Sequence, residues 1–138
     1  MSYLEVLAVF EGSSAFGSYS VDDLDAAERF YGELLGLNTK RGTMGILDLE
    51  LPGGQRVMLY PKDDHQAATY TVLNFEVSDV EAVVDGLTAA GVQMARYGAD
   101  FKQDSKGITT DDRGPRMAWF TDPAGNIIAV METGSPGS

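Results

Sequence analysis

Twice along this chain an alternating run gives way to a helical pattern, and the two passages are near copies of each other. Ala15 to Val21 alternates with the two-residue period of a β-strand; a helical pattern follows, with apolar positions Leu24, Ala27, Tyr31, Leu34 and Leu35. Asp22 has the side chain of an N-cap, and Gly36 is placed to stop the helix in the left-handed conformation. Three strands are predicted next, at about Asn38–Gly42, Met44–Leu51 and Gln55–Tyr60, the last two joined by a Pro52-Gly53-Gly54 turn. The order then repeats. A strand at Thr71–Val77 precedes a helix entered through a Ser78-Asp79-Val80-Glu81 capping box, with Val80, Val83, Val84 and Leu87 on its buried stripe. Further strands are predicted at about Met94–Arg96, Arg116–Thr121 and Ile127–Glu132, with Asp122–Asn126 as a hairpin turn and Gly98 to Pro115 as a long polar loop.

The copies align residue by residue. Val21-Asp22-Asp23-Leu24-Asp25-Ala26-Ala27 recurs as Val77-Ser78-Asp79-Val80-Glu81-Ala82-Val83, and Leu51-Pro52-Gly53-Gly54 answers Asp122-Pro123-Ala124-Gly125. A duplicated unit predicts a pseudo-symmetric fold and says which positions are equivalent. The expected class is α+β: two tandem βαβββ modules, about 15–61 and 71–133. Residues 1–133 form one domain in this reading, and 134–138 form a flexible Gly-Ser-Pro-Gly-Ser tail.

Composition narrows the function classes. With 138 residues, 43% of them apolar, the chain can bury a sizeable core. The absence of cysteine removes disulfides, thiolate metal sites and thiol nucleophiles. A formal net charge of −11 argues against nucleic acid and anionic membrane surfaces as partners. Met1 to Phe10 lacks a basic flank and a long apolar run, so neither a signal peptide nor a membrane segment is expected and a cytoplasmic location is.

Stand-alone chemistry is sparse. His65, the one histidine, lies in a polar linker with Lys62, Asp63, Asp64 and Gln66, and a solvent-exposed role is expected for it. Asp104, Asp111 and Asp112 lack the spacing of a calcium loop. No phosphate-binding glycine loop precedes a helix.

The segments VDDLDAAERFYGELLGL, NFEVSDVEAVVDGLTAAGV and WFTDPAGNIIAVME, in this paired βαβββ order, resemble the vicinal oxygen chelate superfamily of glyoxalases, dioxygenases, fosfomycin-resistance enzymes and bleomycin-resistance proteins. The resemblance spans about Ala15 to Glu132. It implies that each module curls into half of a cup and that ligands bind inside, while leaving the reaction open, since one fold hosts enzymes and plain binders. Strand parity then assigns the faces. Tyr19, Val21, Leu47, Leu49, Leu51, Val57, Leu59, Leu73, Phe75, Val77, Ala118, Phe120, Ile128 and Val130 should back the helices. Phe16, Ser18, Ser20, Ile46, Asp48, Glu50, Arg56, Met58, Tyr60, Val72, Asn74, Glu76, Met117, Trp119, Ile127, Ala129 and Met131 should line the cup.

Metal-dependent members of the superfamily carry His, Glu or Gln at four cup positions, one on the first and one on the last strand of each module. The resemblance places these at Phe16, Met58, Val72 and Ala129, and the spacing between the repeated motifs also separates Phe16 from Val72 and Met58 from Ala129. None of the four can ligate a divalent ion. No metal or other cofactor is therefore expected. The expected function is non-catalytic binding of a small hydrophobic or aromatic molecule, with Phe16, Ser18, Asp48, Met58, Tyr60, Asn74, Met117, Trp119 and Met131 as contacts. Enzymes remain the alternative: a metal-dependent lyase, isomerase or dioxygenase with ligands elsewhere, or a metal-free acid–base catalyst using Asp48, Glu50 or Glu76. An interaction domain with a filled cup is the third possibility. A homodimer, with or without exchanged modules, is the expected assembly.

Overall fold

A computed structural model describes residues 8–98, 101–111 and 114–133; the predicted tail at 134–138 and Asp112 lie outside them. Both modules are present. In the first, β1 (Gly17–Val21), α1 (Leu24–Glu28), β2 (Asn38–Arg41), β3 (Leu47–Glu50) and β4 (Arg56–Pro61) build a four-stranded sheet of order β1-β4-β3-β2. In the second, β5 (Thr71–Val77), α2 (Val80–Ala89), β6 (Met117–Thr121) and β7 (Ile127–Glu132) give a three-stranded sheet of order β5-β7-β6. In each the leading strand runs parallel to the last, and the remaining pairs are antiparallel. The fold is α+β, as the repeat implies. No helix among the described residues is long and apolar enough to cross a membrane.

The faces follow the parity of the sequence. Val21, Leu47, Leu49 and Leu59 of the first sheet share one core cluster with Leu73, Ala118, Phe120, Ile128 and Val130 of the second. Tyr31 and Ala27 enter it from the first helix, Val80, Val84 and Leu87 from α2. Val72 departs from the expectation. The pairing of β5 with β7 is irregular between Thr71 and Leu73, and Val72 packs against the core cluster instead of standing with Asn74.

Local chemistry adjusts several expected boundaries. The caps fall one residue later than anticipated: Asp23, not Asp22, accepts from the Ala26 amide at 3.1 Å, and Asp79, not Ser78, accepts from the Ala82 amide at 3.1 Å. Beyond Glu28 the first helix widens into a π-helical segment, Arg29–Leu34, in which the Leu35 amide reaches back to the Phe30 carbonyl at 2.9 Å. The predicted Met44–Leu51 strand starts only at Leu47, because Thr43–Gly45 form a 3₁₀ turn with Met44 at φ 70°. No strand forms at Met94–Arg96; a single bond from the Ala95 amide to the Trp119 carbonyl, 2.8 Å, continues the sheet there.

The long loop after Arg96 is held at its base. The Gln103 side chain donates to the Ala95 and Gly107 carbonyls and accepts from the Tyr97 amide, Arg96 donates to the Asp104 and Ser105 carbonyls, and Ile108 is fully buried.

Candidate functional site

The face of each sheet turned away from the core is where the resemblance puts a ligand. On the first sheet, strand register sets Lys40, Asp48, Met58 and Ser18 in one row across β2, β3, β4 and β1. Glu50 and Arg56 form the neighbouring row, and Tyr60 with Ser20 the next on the other side. Phe16, just before β1 and 48% exposed, lies under the Arg56 guanidinium at 3.8 Å. Arg56 also approaches Asp48, with Nη1 3.5 Å from Oδ1; that oxygen is buried and accepts no hydrogen bond. Ser18 and Glu50 are exposed, and Met58 and Tyr60 half-buried.

On the second sheet, Trp119 pairs with Ala129, Ala129 with Asn74, Met117 with Met131 and Met131 with Glu76. Ala129 is fully buried and Trp119 only 9% exposed, although neither belongs to the common core. Two loop rings cover the indole: Tyr97 and Phe101 stand edge-on to it at centroid distances of 5.4 and 5.6 Å, and lie 5.6 Å from each other. They are the site residues missed from the sequence. Their signal was two aromatic rings in and beside an otherwise polar loop. Asn74 and Glu76 are exposed, while Met117 and Met131 are half-buried.

Neither half suits a divalent ion. Phe16 sits beneath a cation, Met58 presents a thioether, Val72 packs against the core and Ala129 offers only a methyl group, paired across the strands with Trp119. Among the described residues no group of three or more His, Cys, Asp or Glu could hold a metal ion. The carboxylates do not cluster either: Asp48 and Glu50 are on the first sheet, Glu76 on the second.

What joins the modules is a buried polar staple built from the second module's turn. Asp122, 4% exposed, accepts from the Tyr31 hydroxyl at 2.7 Å, from the Ala124 and Asn126 amides at 2.9 Å, and from the Asn126 side chain at 3.1 Å. Asn126, 2% exposed, also donates to the Ser20 carbonyl at 2.9 Å, and the Tyr19 hydroxyl donates to Tyr31 at 2.8 Å. Burial, with the Asp122 charge nearby, pushes the Tyr19 and Tyr31 hydroxyls far above the usual tyrosine range.

His65, expected to be exposed, is half-buried in this junction. Its Nε2 lies 2.9 Å from the Ala124 carbonyl, which can only accept, so Nε2 carries the proton; in the neutral ring Nδ1, 2.6 Å from Ser20 Oγ, then accepts from that hydroxyl. Asp122, Asn126 and His65 therefore hold structure together, where the sequence suggested only turn and linker.

A family model, the Glyoxalase/Bleomycin resistance protein/Dioxygenase superfamily, matches residues 15–130. Among curated proteins none matches the chain. Solved structures share the fold at low identity. The fosfomycin resistance protein FosX of Listeria monocytogenes is 15% identical with a TM-score of 0.68, covering 89% of this chain and 94% of its own. TnmS3, an antibiotic binding protein from Streptomyces sp. CB03234, is 22% identical with a TM-score of 0.64, covering 89% and 98%. Lactoylglutathione lyase from Agrobacterium tumefaciens is 21% identical with a TM-score of 0.63, covering 88% and 93%. With a matched model that takes in both modules, the chain belongs to the glyoxalase/bleomycin resistance protein/dioxygenase superfamily.

Proposed function

We propose that this protein binds a small aromatic or hydrophobic compound without transforming it. The observation that carries this reading is the chemistry of the open faces: aromatic rings and thioethers (Phe16, Tyr60, Trp119, Met58, Met117, Met131) stand there, and the positions that would hold a metal are apolar. Rings offer stacking surface and thioethers adapt to shape, while Ser18 and Asn74 supply exposed hydrogen-bonding points. A likeness to an antibiotic binding protein is compatible with this role.

The ligand would sit between two chains. The intramolecular ties between modules run through the helix side: Phe30 against Phe120 with centroids 6.1 Å apart, Tyr31 to Asp122, and Ser20 to Asn126. The open faces thus look away from that junction, and a second copy would bring the module-two face of one chain over the module-one face of the other. Two chains related by a twofold axis would form two such cups.

The test is a binding screen on EDTA-treated protein, followed through Trp119 fluorescence, with the compound recovered afterwards and its mass compared. Saturable binding, return of unchanged compound and a dimer in sedimentation are expected. Mixed dimers, in which one chain carries Met58→Ala and its partner Trp119→Ala, should keep one intact cup per dimer and half the binding capacity. Conversion of the compound would overturn the proposal. It would favour acid–base catalysis instead, for which Asp48, whose buried Oδ1 lies near Arg56 but accepts no hydrogen bond, is the group to substitute first.

A further inference from the structure

The helix side of the second sheet holds an apolar groove of about 330 Å³, remote from the open faces. One wall is the end of the first helix, Leu34 and Leu35; the other is α2; Phe75 and Phe120 lie in its lining beneath them. Three features coincide at this space. Gly86 lies inside α2, where any other ordinary residue except proline favours the helix more, and a Cβ added there would meet nothing within 4 Å. The opposite wall is the π-helical segment, a geometry that is rare and concentrated at functional sites. Leu34 at its end is 37% exposed although apolar.

At Leu37 and Pro52 the groove meets a second cavity, of about 620 Å³, which both residues also line. That cavity is polar, with Asn38, Gln55, Glu50 and Arg56 around it. Glu50 and Arg56 face each other across the β3–β4 pair, so the polar end offers donors and acceptors without net charge. An apolar groove that shares Leu37 and Pro52 with a neutral polar cavity suits one chemistry: a molecule with an alkyl or similar apolar tail and an uncharged hydrogen-bonding head.

We propose that this groove is a second ligand site for a small free amphiphile of that kind, with its apolar part on the helix side and its polar end at Glu50 and Arg56, on the rim of the cup face. The protein's net charge of −11 disfavours both carboxylate heads and anionic bilayers as the source.

The test uses decanol, decanoate and phosphatidylglycerol vesicles with the full chain. Decanol should bind saturably below its solubility limit and raise the melting temperature, decanoate should bind more weakly, and vesicles should not co-sediment the protein. Gly86→Leu should weaken decanol about tenfold or more, because its side chain fills the space the tail needs, while the variant itself melts no lower than wild type. Independently of any variant, methyl NMR on the wild type should give contacts from decanol to Leu34 and Leu87 and none to Met58 or Met117. Absence of saturable decanol binding, undiminished binding in Gly86→Leu, or contacts confined to Met58 and Met117 would each overturn the proposal. Tighter binding of decanoate would overturn the neutral head, and co-sedimentation would make lipid the source. Trp119 lines neither cavity, so its fluorescence reads the second-sheet side of the cup and distinguishes failure of that reading from failure of this one.

Discussion

Replacing Tyr31 by phenylalanine removes one oxygen from the junction and leaves its packing in place. The ring stays edge-on to Phe30 at 5.2 Å and near Tyr19 at 6.5 Å, and the site is fully buried, so no cavity larger than the hydroxyl is made. What is lost is a 2.7 Å hydrogen bond to a buried carboxylate, and with it the acceptor that the Tyr19 hydroxyl uses. A hydrogen bond to a charged group contributes about 1.5–3 kcal/mol, and the orphaned Tyr19 hydroxyl adds up to about 1 kcal/mol if water cannot reach it. Asp122 retains its bonds from Ala124 and Asn126, which limits the damage. The expected loss is about 2–3 kcal/mol. For a chain of this length that lowers the melting temperature by roughly 6–10 °C.

Urea unfolding followed by far-UV circular dichroism and by Trp119 fluorescence measures this loss with two probes at once. The midpoint should fall with the slope unchanged and the two probes coincident. Asp122→Asn should cost a similar amount, and the double variant little more than either alone, because both substitutions break the same bond. A loss below about 0.5 kcal/mol for Tyr31→Phe, or full additivity with Asp122→Asn, would refute the claim that this staple couples the modules.

The same hydroxyls set a limit at high pH. Burial raises both folded-state pKa values above the unfolded value of 10.0, so their contribution is intact below about pH 10 and is lost as pH rises through and beyond it. Stability should fall by about 1.4 kcal/mol per pH unit for each buried tyrosine, and phenolate absorbance should show two of the six tyrosines ionising only with unfolding. Early titration of all six would contradict the buried assignment. Over the second sheet, Phe101→Ala should uncover Trp119, now 9% exposed, shifting its emission to longer wavelength and raising acrylamide quenching with little change in melting temperature. Unchanged quenching would mean that Tyr97 alone covers the ring.

The repeat made most of the fold legible because strand parity is a strong constraint. A one-residue slip would turn Leu47, Leu49 and Leu59 to solvent, and nothing else in the chain could replace that core. The signal failed where the backbone leaves regular geometry. Met94–Arg96 has the residues of a strand but makes only one bond to β6, since Gln103 takes the neighbouring carbonyl of Ala95 for the loop. Val72 obeys the alternation in sequence and is turned by an irregularity that no residue type announces. The π-helical widening after Glu28 is likewise silent: Arg29–Leu34 would read as an ordinary helix by propensity alone.

The candidate site was legible in composition and illegible in cover. Parity placed Trp119 on the open face, and it is there, yet the loop rings that bury it come from residues with no periodic pattern. This changes what the tryptophan can do. An indole already contacted edge-on by two rings cannot also offer both faces to a ligand, so binding at Trp119 requires Tyr97 and Phe101 either to move aside or to form part of the wall. Gln103 and Ile108 fix the base of the loop, and Gly98, next to Tyr97, holds a positive φ of 80°. A ligand that stacks on Trp119 must therefore be worth more than the two edge contacts it displaces, each about 0.5–1.5 kcal/mol. Flat molecules with more area than a single ring meet that condition, and small non-aromatic ones do not. If the proposed cup takes its ligand at Trp119, this cover would favour the flat aromatic compounds expected from the lining.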